Sequence, residues 1–166
     1  KHVATFEMHG EYLQVHERGL LAAPFLADYG FELSRGFKAL KIWMSLKEQG
    51  IAKFGRLIDQ NNAQAAYLTN LIEAAPELEL MAPTGINIVC FRYRGQIEEE
   101  AVLRKLNTEL MLRLQESGTA VLSDTIVSGK HCLRIAINNH RTQTQDLDLV
   151  LGEIIKIGQN LASDHI

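Results

Sequence analysis

Apolar and polar positions follow two different periods along the chain, and the changes between them mark its elements. From Ser34 to Gly50 a helix is predicted. At about 100° per residue, Ala39, Leu40, Ile42, Trp43, Met44 and Leu46, with Phe37, cover well over half its circumference. Only the arc through Lys38, Lys41, Ser45 and Glu48 is plainly polar. Ser34 is placed to cap the first turn and Gly50 to close the last. So broad an apolar surface predicts burial on more than one side, as for an element wedged between two bodies of protein.

A second helix is predicted from Ile51 to Ala75, stopped by Pro76, with Leu57, Ile58, Ala65, Leu68, Leu71 and Ile72 apolar and Gly55 weakening its start. The period then shortens to two. Leu78 to Met81 and Ile86 to Arg94 read as strands joined across Pro83-Thr84-Gly85, and in the second of them Val89, Phe91 and Tyr93 alternate with Ile88, Cys90 and Arg92. Ile97 to Glu116 is an amphipathic helix with Leu103, Leu106, Leu110 and Leu114 in line, stopped by Gly118. Strands near Ala120 to Val127 and Cys132 to Asn139 follow, turning at Ser128-Gly129. A last helix opens on a capping box, Thr142 to Gln145, has Asp146 and Asp148 in its acidic first turn, and turns Leu147, Leu151, Ile154, Ile155 and Leu161 to a core. From Leu78 onward the order is β-β-α-β-β-α. The fold class is α+β, a four-stranded, largely antiparallel sheet with helices on one face.

Composition narrows the function. With 166 residues, 46% of them hydrophobic, the chain can bury one ordinary domain, or one domain and a piece of another. A formal charge of −3 and the lack of a basic, aromatic-studded stripe argue against nucleic acid. No apolar run approaches the roughly 20 residues of a membrane span, so a soluble, cytoplasmic protein is expected. Cys90 and Cys132 lie inside predicted strands without zinc spacing and read as buried thiols, and six scattered histidines show no metal-ligand pattern. Residues 1–33, with Gly10, Gly19, Pro24 and Gly30, keep no period, the mark of a long mobile or functional segment. The start at Lys1 without methionine is expected equally of a fragment and of a processed chain.

One strand carries candidate chemistry. Period two puts Leu133, Ile135 and Ile137 on one face and Arg134, Ala136 and Asn138 on the other. If the aliphatic row faces the helices, Arg134 points out of the opposite face, where its guanidinium can grip a carboxylate with two parallel hydrogen bonds. A structural alternative pairs Arg134 with a neighbouring Glu or Asp. A stand-alone α+β ligand-binding or interaction module without catalysis fits the same pattern.

The run Leu33-Ser34-Arg35-x-Phe37-x-Ala39-Leu40-Lys41-x-Trp43, with Gly50 at the helix end, resembles the C-terminal part of the pyridoxal-phosphate-dependent group II amino-acid decarboxylases. These include the aromatic amino-acid, glutamate and diaminobutyrate decarboxylases, and the likeness runs from about Phe6 to about Leu161. It implies a fold-type I enzyme whose catalytic loop and end of the large domain occupy 1–33, whose interdomain helix occupies 34–50, and whose small C-terminal domain occupies 51–166. It also implies pyridoxal 5'-phosphate, a small amino-acid substrate, a homodimer, and release of CO2 and an amine. Phe6 to Leu13 is similar to the family's mobile loop, with Tyr12 at the tyrosine that returns a proton after CO2 leaves; Gly10 stands where many relatives have proline. Arg134 with Asn138 matches the arginine and asparagine of the strand that holds the substrate α-carboxylate in the glutamate decarboxylase branch, with Ile137 in place of a serine. Ser34 matches a position where serine goes with phenolic substrates, and Arg35 reads as an ion-pair partner at a boundary. The lysine that holds the cofactor follows a histidine some thirty residues before the loop tyrosine in the family. Lys1-His2 lies too near Tyr12 and in reversed order, so this lysine is expected in an upstream large domain, and the chain alone is expected to be inactive.

Overall fold

A computed structural model describes residues 1, 3–6, 29–32, 34 and 36–163. The chain divides into two units, 1–50 and 51–166.

In the first unit, helix α1 spans Val3–Phe6 and helix α2 spans Lys38–Gln49. Gly50 ends α2 as expected, at φ 75°, with its N–H bonded to the Leu46 carbonyl at 2.9 Å. The start differs. Phe37 is the residue before the helix and no side chain caps it, so Ser34 lies outside the first turn instead of capping it. Main-chain bonds from Lys38 N–H to Gly36 O and from Leu40 N–H to Phe37 O tighten this entry without a side-chain acceptor. Within this chain α2 buries no residue: Ile42, Trp43 and Met44 are 65%, 59% and 56% exposed.

The second unit is the α+β layer that the periodicities predict. Helix α3 (Ile51–Ala74) precedes strands β1 (Leu78–Leu80) and β2 (Ile88–Tyr93); helix α4 (Glu100–Glu116) leads to β3 (Ser123–Val127) and β4 (Lys130–Ala136); helix α5 (Thr144–Ser163) closes the unit. The strands are all antiparallel, in spatial order β1-β2-β4-β3. Leu78 pairs with Tyr93, Phe91 with Leu133 and Cys90 with Arg134. In the β3–β4 hairpin Ser128 and Gly129 both take positive φ, 50° and 79°, the two-residue turn whose twist matches that of the strands.

One row of the pleat builds the core. Val89, Phe91, Tyr93 and Leu133 are buried with Leu68 and Ile72 of α3, Leu106, Leu110 and Leu114 of α4, and Leu151 and Ile154 of α5. Each such side chain stabilises the fold by about 1.5–3 kcal/mol against leaving it in water. Ile58, expected on this face, is 57% exposed.

Several boundaries move, and β4, expected from Cys132 to Asn139, spans Lys130–Ala136. Helix α4 starts at Glu100, not Ile97, because Gly95 turns the chain at φ 54° and Ile97 N–H closes that turn on the Arg94 carbonyl. Strand β3 starts at Ser123, not Ala120, since the Leu122 carbonyl accepts from Gln115 Nε2 (2.8 Å) rather than from a strand. The α5 capping box shifts by one residue: Asp146 Oδ2 accepts from Gln143 N–H at 2.9 Å, while the Thr142 carbonyl accepts from Gln64 and Gln60 side chains of α3. These glutamines tie the segment after β4 to α3. No described helix is long and apolar enough to cross a membrane.

Candidate functional site

The second row of the pleat faces away from the helices, and it carries the charge. Glu79, Arg92, Cys90, Arg134, Cys132, Lys130 and Ser123 stand on this open side, as the strand registers require. Arg92 is only 2% exposed. Its guanidinium donates from Nε to Glu79 Oε2 (2.7 Å) and from Nη1 to both carboxylate oxygens of Glu100 (3.0 and 2.8 Å). Glu79 sits directly across the β1–β2 ladder, and Glu100 is the first residue of α4, where a negative charge also suits the helix dipole. Burial works against the Arg92 charge, and the two carboxylates outweigh it, holding its pKa above the ordinary value. The same hydrogen bond from Arg92 holds Glu100 below the usual carboxylate range.

Arg134 has a different environment. It is half-buried in β4, with Cys90 opposite on β2 and Ser123 opposite on β3. Its Nη1 donates to Ser123 Oγ at 3.4 Å, and among the described residues no carboxylate lies against it. The structural alternative for this residue, an ion pair with a neighbouring Glu or Asp, is therefore not what the strands build. Its strand neighbours on this side, Cys132 and Ala136, are small, and so are Cys90 and Ser123. A planar fork among small side chains can meet an incoming carboxylate without first being uncovered. Beside it, burial and the Cys90 thiol push the Cys132 thiol up to about 11, so Cys132 reads as a structural thiol.

Asn138 follows the end of β4 and accepts from Asn87 Nδ2, which also donates to the Ile137 carbonyl at 3.0 Å. Ser34 is exposed in the first unit. Tyr12 and Arg35 lie outside the described residues. Arg92, Glu79 and Glu100 were not singled out by sequence; the available signal was an arginine inside an otherwise apolar strand, Ile88–Tyr93, with a glutamate in the strand before it.

A family model described as the pyridoxal-dependent decarboxylase conserved domain matches residues 1–94, more than half of the chain. The chain belongs to the pyridoxal-dependent decarboxylases. Among the relatives of this chain, an aromatic-L-amino-acid decarboxylase of Bacillus atrophaeus is 29% identical over 97% of the chain and 34% of its own length. A phenylacetaldehyde synthase of Petunia hybrida is 27% identical over 74% of the chain and 26% of its own length. A crystal structure of Oryza sativa TDC with PLP and tryptamine matches with a TM-score of 0.78 at 27% identity, covering 96% of this chain and 33% of that one. The decarboxylase chain spans about a third or less of the length of these relatives. Its α+β unit is accordingly the C-terminal domain of a fold-type I enzyme, and pyridoxal phosphate is the cofactor of its family.

The described residues of this decarboxylase do not by themselves fit that cofactor. All eight lysines are exposed in this chain. The cations on the open sheet face, apart from Arg134, are engaged with glutamates. What the site offers is one uncommitted guanidinium on a rigid strand.

Proposed function

We propose that this chain is the C-terminal part of a decarboxylase that takes an aromatic L-amino acid and releases CO2 and an amine, working as a cytoplasmic homodimer. The upstream large domain of the same enzyme supplies the lysine and the other contacts of pyridoxal phosphate, and the chain alone is inactive. The observation that carries this reading is Arg134, a strand-borne guanidinium with no carboxylate against it among the described residues, in a chain of this family. Its role is to hold the substrate α-carboxylate. Tyr12 delivers the proton to the α-carbon after CO2 has left, and Ser34 is a further substrate-binding residue. Aromatic substrates are favoured by the names of the relatives, among them the Bacillus atrophaeus enzyme.

The test uses the complete enzyme with saturating pyridoxal phosphate and L-tyrosine, L-tryptophan or L-phenylalanine. CO2 and the matching amine are expected in equal amounts. Arg134→Met is expected to raise KM by on the order of thirtyfold or more, since removing one partner of such a charge pair costs about 2–5 kcal/mol. Tyr12→Phe is expected to lower amine formation, with aldehyde appearing in its place. An enzyme that takes up no pyridoxal phosphate, or an Arg134→Met variant with unchanged KM, would overturn the reading.

A further inference from the structure

The open face of the sheet carries more charge than Arg134 alone, and the distribution is uneven. Arg92 and Lys130 face Glu79 and Glu100: Arg92 bonds both acids at 2.7–3.0 Å, and Lys130 Nζ lies 3.9 Å from Glu100 Oε1. These four charges sum to zero. Arg134 stands on the same face, and among the described residues its guanidinium bonds the Ser123 hydroxyl and no carboxylate. The two arginines are diagonal neighbours, because Cys90, two residues before Arg92 on β2, is the partner of Arg134 on β4. Diagonal positions of this kind are about 7–8 Å apart, within reach of long side chains.

We propose that Arg92 is a positioning residue for Arg134: by holding Glu79 and Glu100 it keeps their carboxylates off the neighbouring guanidinium, which stays unpaired and open for the substrate. The proposal rests on the reading of Arg134 given above. A carboxylate tethered to the same sheet acts at an effective concentration far above that of a free substrate, so one released acid suffices to block the site. At about 8 Å and an effective dielectric of about 20, a single charge changes carboxylate binding by on the order of ten- to thirtyfold. Arg92 is suited to the task because its fork takes both acids in fixed directions, and its burial keeps water from replacing either. Arg94 also attracts Glu100, so Glu79, on the far edge strand, is the acid left with no cation when Arg92 is removed.

The experiment uses the complete enzyme, with two readouts: binding of 3-phenylpropionate, a carboxylate without an amine, by titration calorimetry, and KM against kcat for the amino acid. Arg92→Gln is expected to weaken 3-phenylpropionate binding and raise KM about tenfold or more, with a smaller effect on kcat. Adding Glu79→Gln and Glu100→Gln to that variant is expected to restore both values to near wild type, because no acid is left to reach Arg134. A merely structural role predicts the reverse, since the triple variant lacks the whole cluster. If Arg92→Gln alone does not fold, the triple variant and Arg92→Lys, which keeps the charge, decide the question. Full binding in a folded Arg92→Gln variant, or a folded triple variant as weak as Arg134→Met, would overturn the proposal. Arg134→Met separates the two readings: if it leaves 3-phenylpropionate binding unchanged, the Arg134 assignment itself fails.

Discussion

Asn107 shows how much one buried polar side chain can settle. It is fully buried in α4, yet each of its polar atoms is bonded: Oδ1 accepts from Tyr93 N–H (2.8 Å), and Nδ2 donates to the Tyr93 and Leu103 carbonyls (2.8 and 2.9 Å). Asn107→Leu leaves both main-chain groups of Tyr93 without that partner inside the core. It is expected to cost about 2–4 kcal/mol, read as a lower midpoint in urea with unchanged slope. Glu100 makes a prediction of different sign logic. Its pKa is lowered, first by the hydrogen bond from Arg92, so its contribution to stability is present above its ordinary value of 4.5 and is lost as pH falls through the lower folded value. The melting temperature of the chain is therefore expected to drop below about pH 4.5 more steeply than that of Glu100→Gln; parallel curves would refute this. Residues of these kinds differ in how readable they are. Arg134 was visible because its neighbours along one strand fix its face. Arg92 was not, because its burial depends on Glu79 in another strand and Glu100 at a helix start, contacts that no local period announces.

At the scale of elements, hydrophobic period recovered every helix and strand from Ile51 on, since the side-chain direction repeats every 2 or 3.6 residues whatever packs above it. Ends were less legible. Thr142 with Gln145 is the capping box that spacing and residue type favour, yet the helix starts one residue later, with Asp146 Oδ2 bonded by Gln143 N–H and the Thr142 carbonyl bonded by Gln60 and Gln64. Helix α5 poses the same problem with its two glycines. Gly152 has open space where a Cβ would go, so Gly152→Ala is expected to stabilise the chain by about 0.5–1 kcal/mol through helix propensity. At Gly158 the added Cβ would overlap the ring of Tyr93, a core side chain that lies across the helix at this point. Gly158→Ala is expected to destabilise by about 1–3 kcal/mol despite the same gain in propensity. Opposite shifts in melting temperature from two identical substitutions six residues apart test whether α5 sits against Tyr93 as described.

The whole molecule places two kinds of surface in one chain. Residues from Ile51 onward form a layered unit with its own core, whereas α2 holds an apolar arc of Leu40, Ile42, Trp43, Met44 and Leu46, none less than 38% exposed. So large an apolar patch on a helix calls for a partner, and a chain that spans about a third of its relatives leaves most of a homologous enzyme to provide one. The proposed partner is the upstream domain of the same polypeptide. Trp43 is well placed to report it, because it is the sole tryptophan of the chain, 59% exposed, with Lys47 Nζ 5.9 Å from its ring centre. In the isolated chain its fluorescence is expected to have the long emission wavelength of a hydrated indole. In the complete enzyme, the difference spectrum between wild type and Trp43→Phe is expected to move to shorter wavelength and to lose sensitivity to acrylamide, as burial removes water from the ring. Deleting the upstream domain should restore the hydrated spectrum and abolish CO2 release together. A Trp43 difference spectrum that stays hydrated in an active complete enzyme would mean that the apolar arc of α2 serves something other than the join between domains.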